Sequence, residues 1–494
     1  MRSTVLQGLS WSAAQKWASR LAGLASFIVL SRLLDPKDFG LVALASAVVT
    51  VLQLVTDGGF SAYLIQTREI GDRTISTAFW TALLVSVVSS VAVVVTAPVF
   101  ALLFHEPGLT PVLMVLAIGV LITGLSSVQA ALLARELRFK QLAKLQVGAS
   151  VLSTVAALTA AFLGAGVWAL VIQSLVLAVA TTVMLWIASS WRPSRVWDKA
   201  ESKAMLSYSW KVLGANLLNQ VRDRGEQFII AAIGGTVLLG YWTIASRILQ
   251  IMMELTVTVL QSVTLPVFSR LKDDPERLRR GYRLVLTYTA AIVVPVVVLA
   301  SQTSPTLVPL VFGDKWQPSA DVAAVITLTG FAWAMNSFDR SLYQAFARPG
   351  VDLVLSSVIA VLQVVTVLIV APYGLVALAV ASIARAYGVW PFRLAVLKRV
   401  CGLPWSSYTG FPPIVLAGAL SAGAMVLVKH WFSAPTWGQV AVLCLAGGVT
   451  YVVFASLFSP DVRRLAGEAR GVLRRKRGGT PTELSVRERA GVDS

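Results

Sequence analysis

Charged side chains inside long apolar runs are where this sequence could do chemistry. The basic ones are Lys16, Arg20, Lys211, Arg222, Arg224, Arg247, Arg340 and Arg385, and the acidic ones are Asp57, Asp223, Glu226, Glu254 and Asp339. A charge held inside a bilayer costs roughly 2.5–3.5 kcal/mol even on the lenient insertion scale, so each needs a partner or water. They fall on helical stripes. Lys16 and Arg20 lie one turn apart. Asn216, Asn219, Gln220, Asp223 and Gln227 follow a helical period, with Arg222 and Glu226 beside them. Arg247, Gln250, Glu254 and Gln261 share a face, and Asn336, Arg340 and Gln344 share another. A polar stripe on a spanning helix faces protein or water rather than lipid.

The excess of basic over acidic groups predicts one hydrated, cationic cavity that would suit an anionic ligand. Arginine forks donate paired hydrogen bonds to phosphate. The amides Asn216, Asn219 and Gln220 could meet sugar hydroxyls, and apolar walls would suit a lipid tail. The candidate substrate contacts are therefore Lys16, Arg20, Arg224, Arg247, Arg340, Arg385, Asn216, Asn219 and Gln220. Asp57, Asp223, Glu226 and Glu254 are the candidates for ion or proton coupling. Arg20, Arg224, Arg247 and Arg385 lie about ten or more residues from a helix end, too deep to snorkel easily. Lys16, Lys211 and Arg340 sit near helix ends, where a long side chain snorkels as readily as it lines a cavity. Arg222 with Glu226 reads equally well as a structural ion pair. Asp57 precedes Gly58-Gly59 and reads equally well as a helix end.

The elements that must position these groups are membrane spans. Of 494 residues, 56% are hydrophobic and 13% are charged, against roughly 25% charged in a soluble domain. Many apolar runs approach the ~20 residues that cross a bilayer, and none shows the alternation of a barrel strand. Fourteen candidate helices result: 11–33, 39–65, 76–104, 109–133, 142–163, 167–188, 205–233, 237–265, 286–302, 320–346, 354–371, 375–395, 411–428 and 440–457. The run after Met1 contains Lys16 and Arg20, so it reads as a first helix and not a removed leader.

The net charge of +18 does not signal nucleic acid, because the basic residues sit in short loops between spans. On alternate sides the loops differ. One side holds Arg135, Arg138, Lys140, Lys144, Arg192, Arg195, Arg277 and Arg280 among many more; the other holds only Arg32, Lys37, Lys315 and Lys429. That asymmetry predicts a cytoplasmic-membrane protein with both termini in the cytoplasm. The tail carries Arg474, Arg475, Lys476 and Arg477, read as a cytoplasmic anchor with membrane lipids as neighbours, and 478–494 as disordered.

The halves repeat. Gly40-Leu-Val-Ala-Leu-Ala-Ser46 matches Gly240-Tyr-Trp-Thr-Ile-Ala-Ser246 at an offset of 200, and Gly166-Val-Trp-Ala-Leu170 matches Gly374-Leu-Val-Ala-Leu378 at 208. Two six-helix sets entering the membrane in the same direction form a parallel repeat, which holds substrate between its halves and opens alternately to each side. The expected fold is an all-α polytopic membrane protein. It has a six-helix lobe over 1–195, a second over 196–402, two further helices over 403–458 and a basic tail over 459–494.

Catalytic signatures are missing. No phosphate-binding G-x-x-x-x-G-K-[ST] loop occurs; His105 and His430 form no H-E-x-x-H; Cys401 and Cys444 have no metal-ligand spacing. Neither an enzymatic activity nor a cofactor nor a metal is expected. No outer loop looks long enough for a transferase domain.

Several stretches carry a family resemblance over about Ser10 to Arg399. They are Ser31-Arg-Leu-Leu-Asp-Pro-Lys-Asp-Phe-Gly40, Asp57-Gly-Gly-Phe-Ser-Ala-Tyr-Leu-Ile-Gln66, Ala134-Arg-Glu-Leu-Arg-Phe-Lys140, Gly166-Val-Trp168, Gly240-Tyr-Trp-Thr-Ile-Ala-Ser-Arg247 and Phe312-Gly-Asp-Lys-Trp316. In these the chain resembles the Wzx-type polysaccharide flippases of the multidrug/oligosaccharidyl-lipid/polysaccharide exporter superfamily, nearest to colanic-acid and teichuronic-acid exporters. The resemblance implies rocker-switch translocation of a polyprenyl-diphosphate-linked oligosaccharide. It also implies coupling to a proton or sodium gradient and work alongside glycan polymerase machinery. Where that subgroup usually has Asp before the last apolar run of the seventh helix, this chain has Glu226, which would alter an ion site there. A multidrug antiporter of the same superfamily and a peptidoglycan-precursor flippase are the alternatives.

Overall fold

The computed structural model describes residues 23–57, 63–65, 67, 70–257, 264, 267–408, 410–431, 436–460 and 462–463, without the side chains of 55–57, 208–219, 221–223 and 349. Lys16, Arg20, the Arg474–Arg477 cluster and 478–494 lie outside the described residues, as do the side chains of Asp57, Asn216, Asn219 and Asp223.

Every regular element among the described residues is a helix. In the first half, α1 (Gly23–Leu33), α2 (Pro36–Asp57), α3 (Asp72–Leu103), α4 (Leu109–Gly124), α5 (Ser127–Arg135), α6 (Phe139–Phe162) and α7 (Val167–Ala188) follow in order. The second half holds α8 (Lys199–Thr256), α9 (Pro275–Phe312), α10 (Gln317–Ile326), α11 (Thr329–Asn336), α12 (Asp339–Ala345), α13 (Pro349–Val370), α14 (Leu375–Gly388), α15 (Trp390–Cys401), α16 (Pro412–Lys429) and α17 (Trp437–Phe458). Eleven helical runs among the described residues are long and apolar enough to cross a membrane, or twelve if the broken run from Asp314 to Ala345 is one span. The expected count of fourteen differs for two local reasons. The first span is described only from Gly23, and the seventh and eighth share α8, interrupted at Gly235 with φ 74°. Only glycine adopts that backbone cheaply.

Outward faces are apolar, as a lipid solvent requires. On α3, Val95, Val99 and Leu102 are exposed, and on α17 so are Leu445, Val449 and Val452. A soluble fold would bury such ridges. Helix starts outside the membrane use ordinary caps. Asp198 accepts the backbone N–H groups of Ala200 and Glu201 at 2.8 and 3.1 Å, opening α8, and pairs with Arg73 at 2.9 Å. Those amides hold its carboxyl below the usual aspartate range.

The described chain forms two compact units. One holds the residues through Gln250 with Ser304–Ile326 and Leu353–Val389; the other holds Ile251–Thr303, Thr327–Asp352 and the residues from Trp390 on. These units divide the chain differently from the lobes expected at 1–195 and 196–402, with boundaries inside α8, α9 and α13 and at the breaks after α10 and α14.

Backbone details recur between halves. Gly166 and Gly374, both at positive φ, precede α7 and α14. Leu137 and Ala347 take φ 57° and 53° just before α6 and α13. In each turn the next residue, Arg138 or Arg348, donates its N–H to a carbonyl five residues back. Left-handed backbone at a non-glycine is uncommon; His105 takes it too, at φ 53°, with Glu106 donating to the carbonyl of Ala101.

Candidate functional site

In the first unit, the stretches that carry the repeat meet. A Cβ built on Gly40 of α2 would lie 1.6 Å from the Thr236 carbonyl oxygen, and one on Gly240 would lie 1.9 Å from that of Pro36. Gly40 and Gly240 are two hundred positions apart, as are Pro36 and Thr236, so the contact is reciprocal. Each helix inserts its glycine beneath a carbonyl of the other. Close backbone approach at small residues is the usual means of joining helices in lipid, where no hydrophobic force separates helix from tail.

Side chains lock this seam. Glu106 accepts from the Thr236 hydroxyl at 2.6 Å and pairs with Lys37 at 3.1 Å. Arg32 donates to the carbonyls of Leu310 and Val311, and the indole of buried Trp316 donates to that of Ser31 at 2.8 Å. Lys315 reaches Asp35 at 3.4 Å. Phe27, Phe39, Phe312 and Tyr241 pack edge-on around this cluster through Phe39 and Trp316. Sequence reasoning met Arg32, Lys37 and Lys315 as outer-loop charges and Phe39, Tyr241, Phe312 and Trp316 in family motifs but gave them no role, and it passed over Glu106 and Thr236. The matched glycines were the signal.

The expected cavity residues divide between the units. In the first, Arg224 donates to Gln227 at 3.4 Å and Arg247 to Gln250 at 2.9 Å. Glu226 accepts from Gln363 of α13 at 2.9 Å, which makes Gln363 a polar partner that its apolar surroundings in sequence hid. Gln220 and Arg385 are half-buried. In the second unit lie Glu254, half-buried, and Arg340, whose side chain is 68% exposed and 3.6 Å from Asp352. The stripe of Asn336, Arg340 and Gln344 crosses the break between α11 and α12, so its period does not continue on one helix.

The buried charge on α12 is Asp339 instead. Arg393 of α15 donates to its Oδ2 through Nε at 3.0 Å and Nη2 at 2.9 Å, and Tyr282 donates to its Oδ1 at 3.2 Å. The Tyr282 hydroxyl also meets that of Tyr408 at 2.7 Å. Around these polar groups Phe331, Trp390, Tyr408 and Phe411 form an aromatic cluster. The sequence reading named Asp339 only as a charge within a span and did not count Arg393 among buried cations. Among the described residues no three His, Cys, Asp or Glu side chains gather to hold a metal ion.

Residues 29–321 match the family model described as polysaccharide biosynthesis protein. The chain belongs to that family. Members similar to it include the teichuronic acid biosynthesis protein TuaB of Bacillus subtilis (strain 168), 23% identical over 70% of this chain and 72% of that one. The lipopolysaccharide biosynthesis protein WzxC of Escherichia coli (strain K12) is also 23% identical, over 70% of this chain and 71% of its own. Among solved structures the chain resembles the lipid II flippase MurJ in its inward closed conformation. The TM-score is 0.76 over 92% of this chain and 99% of that one, at 13% identity, a likeness of fold. The chain is a multi-pass membrane protein.

Proposed function

We propose that the protein flips a polyprenyl-diphosphate-linked oligosaccharide across the cytoplasmic membrane for surface polysaccharide synthesis. The observation that carries this reading is the reciprocal glycine seam. Two equivalent helices, one per repeat, touch through backbone at one end, as expected of a two-lobed carrier closed on that side. The half-buried arginines Arg224, Arg247 and Arg385 offer forks for a diphosphate. Family membership and the named roles of the relatives supply the polysaccharide.

In this reading the lobes are 1–195 and 196–402, with 403–458 as two added spans, 459–494 as a tail and both termini in the cytoplasm. The seam then lies on the outer side. Lys16, Arg20, Asn216, Asn219, Gln220 and Arg340 join the arginines as substrate contacts. Asp57, Asp223, Glu226 and Glu254 carry the proton or sodium ion that drives the cycle. Glycan polymerase machinery receives the product.

Mass spectrometry of lipid-linked glycans from cells depleted of the protein, with leaflet assigned by an impermeant probe, tests this. A complete repeat unit accumulating on polyprenyl diphosphate in the cytoplasmic leaflet is expected. Normal arrival in the outer leaflet would overturn the reading in favour of drug efflux or polymerisation.

A further inference from the structure

Within the first unit, α2, α4 and α7 enclose a crevice of about 140 Å³. Ser46, Thr50, Gln53 and Ser174 supply its polar lining, and Val49 and Leu116 are part of its apolar wall. None of the lining residues is ionisable. The Thr50 hydroxyl donates to the Ser46 carbonyl at 2.6 Å and the Ser174 hydroxyl to the Leu170 carbonyl at 3.1 Å. Both oxygens therefore keep acceptor lone pairs directed elsewhere. Among the described residues no group takes up the Gln53 amide, which retains two donors and an acceptor. A ligand with several neutral hydroxyls on one edge and C–H groups on its face matches this lining. A charged ligand would find no counter-ion.

The register set by the seam sharpens the point. At an offset of 200, Ala47 stands where the second repeat has Arg247, Thr50 where it has Gln250, and Leu54 where it has Glu254. Two of these three positions, 47/247 and 54/254, are neutral in the first half and charged in the second.

We propose that the crevice lined by Ser46, Thr50, Gln53 and Ser174 is a subsite for one neutral sugar ring of the transported glycan, distinct from the arginines that face the diphosphate. The inference rests on the flippase reading. Its volume of about 140 Å³ suits a single ring, so it reads one residue of the cargo.

The test uses the full-length protein in lipid nanodiscs. The probes are polyprenyl diphosphate bearing one glucose, galactose or N-acetylglucosamine, and the same polyprenyl diphosphate bare. Wild type is expected to bind at least one sugar-bearing probe about tenfold more tightly than the bare lipid, the effect of one or two net hydrogen bonds. Gln53→Leu and Ser46→Val should each erase that preference and leave binding of the bare lipid unchanged, which also reports that the variants are folded. Arg247→Gln should weaken all probes alike. Equal binding of sugar-bearing and bare probes by wild type, or a preference that survives both crevice variants, overturns the subsite and leaves the flippase reading intact. Failure of wild type to bind any probe overturns the flippase reading, and the subsite with it.

Discussion

The helix that carries Gly40 and the one that carries Gly240 cross alike and differ in what they carry beyond the crossing. At the seam they are interchangeable: Gly40 meets Thr236 as Gly240 meets Pro36. Away from it they diverge. The first half has Gln129, fully buried with neither amide atom bonded among the described residues. At the offset of 210 marked by Leu137 and Ala347, the second has Asp339, buried and held by Arg393 and Tyr282. At the offset of 200, Ala47 likewise corresponds to Arg247.

The contrast can be broken most severely at Asp339. Asp339→Ala strands the Arg393 guanidinium, 14% exposed, and should destabilise the protein by about 3–5 kcal/mol. A thermal midpoint in detergent no lower than that of wild type would refute a structural pair. Next come the seam glycines. A methyl at either position meets a carbonyl oxygen, so Gly40→Ala and Gly240→Ala should each disfavour the closed seam by about 1–3 kcal/mol. Thiol labelling of a cysteine placed at exposed Leu33 should rise similarly in both; a rise in one alone would show that the symmetry stops short of energetics.

Arg247→Ala tests the charged copy. Loss of a charge-assisted contact should cost about 1.5–3 kcal/mol of diphosphate affinity, roughly 10- to 150-fold, with membrane insertion unchanged. Normal surface glycan and normal probe binding would remove Arg247 from the site. Glu106→Gln keeps the Thr236 contact but loses the charge facing Lys37, whose side chain is 58% exposed, so a change of about 1 kcal/mol or less is expected in the labelling assay. Smallest is Gln129→Leu. Removing an unbonded buried amide should leave the thermal midpoint unchanged or raise it slightly; a clear fall would reveal a partner for Gln129.

Much of this was legible in the sequence. Apolar runs located the spans, and the paired motifs at Gly40 and Gly240 announced a repeat. What periodicity could not supply was who faces whom. A stripe identifies a face and leaves its partner open, so Gln363 stayed hidden against Glu226, and Arg393 against Asp339. Helical phase also does not carry from Asn336 to Arg340, since the break between α11 and α12 shifts the face after Asn336. The glycines were noticed as letters in a motif, but that each fills the space under a carbonyl depends on two helices distant in sequence.

A seal written in main chain has an evolutionary consequence. Carbonyl oxygens and absent side chains are indifferent to cargo, so residues such as Gln53 or Arg247 can be exchanged without redesigning the closure. Relatives handling unlike glycans would then diversify their linings rapidly while the glycine crossing stays still, a division between inherited hinge-work and negotiable upholstery within one fold.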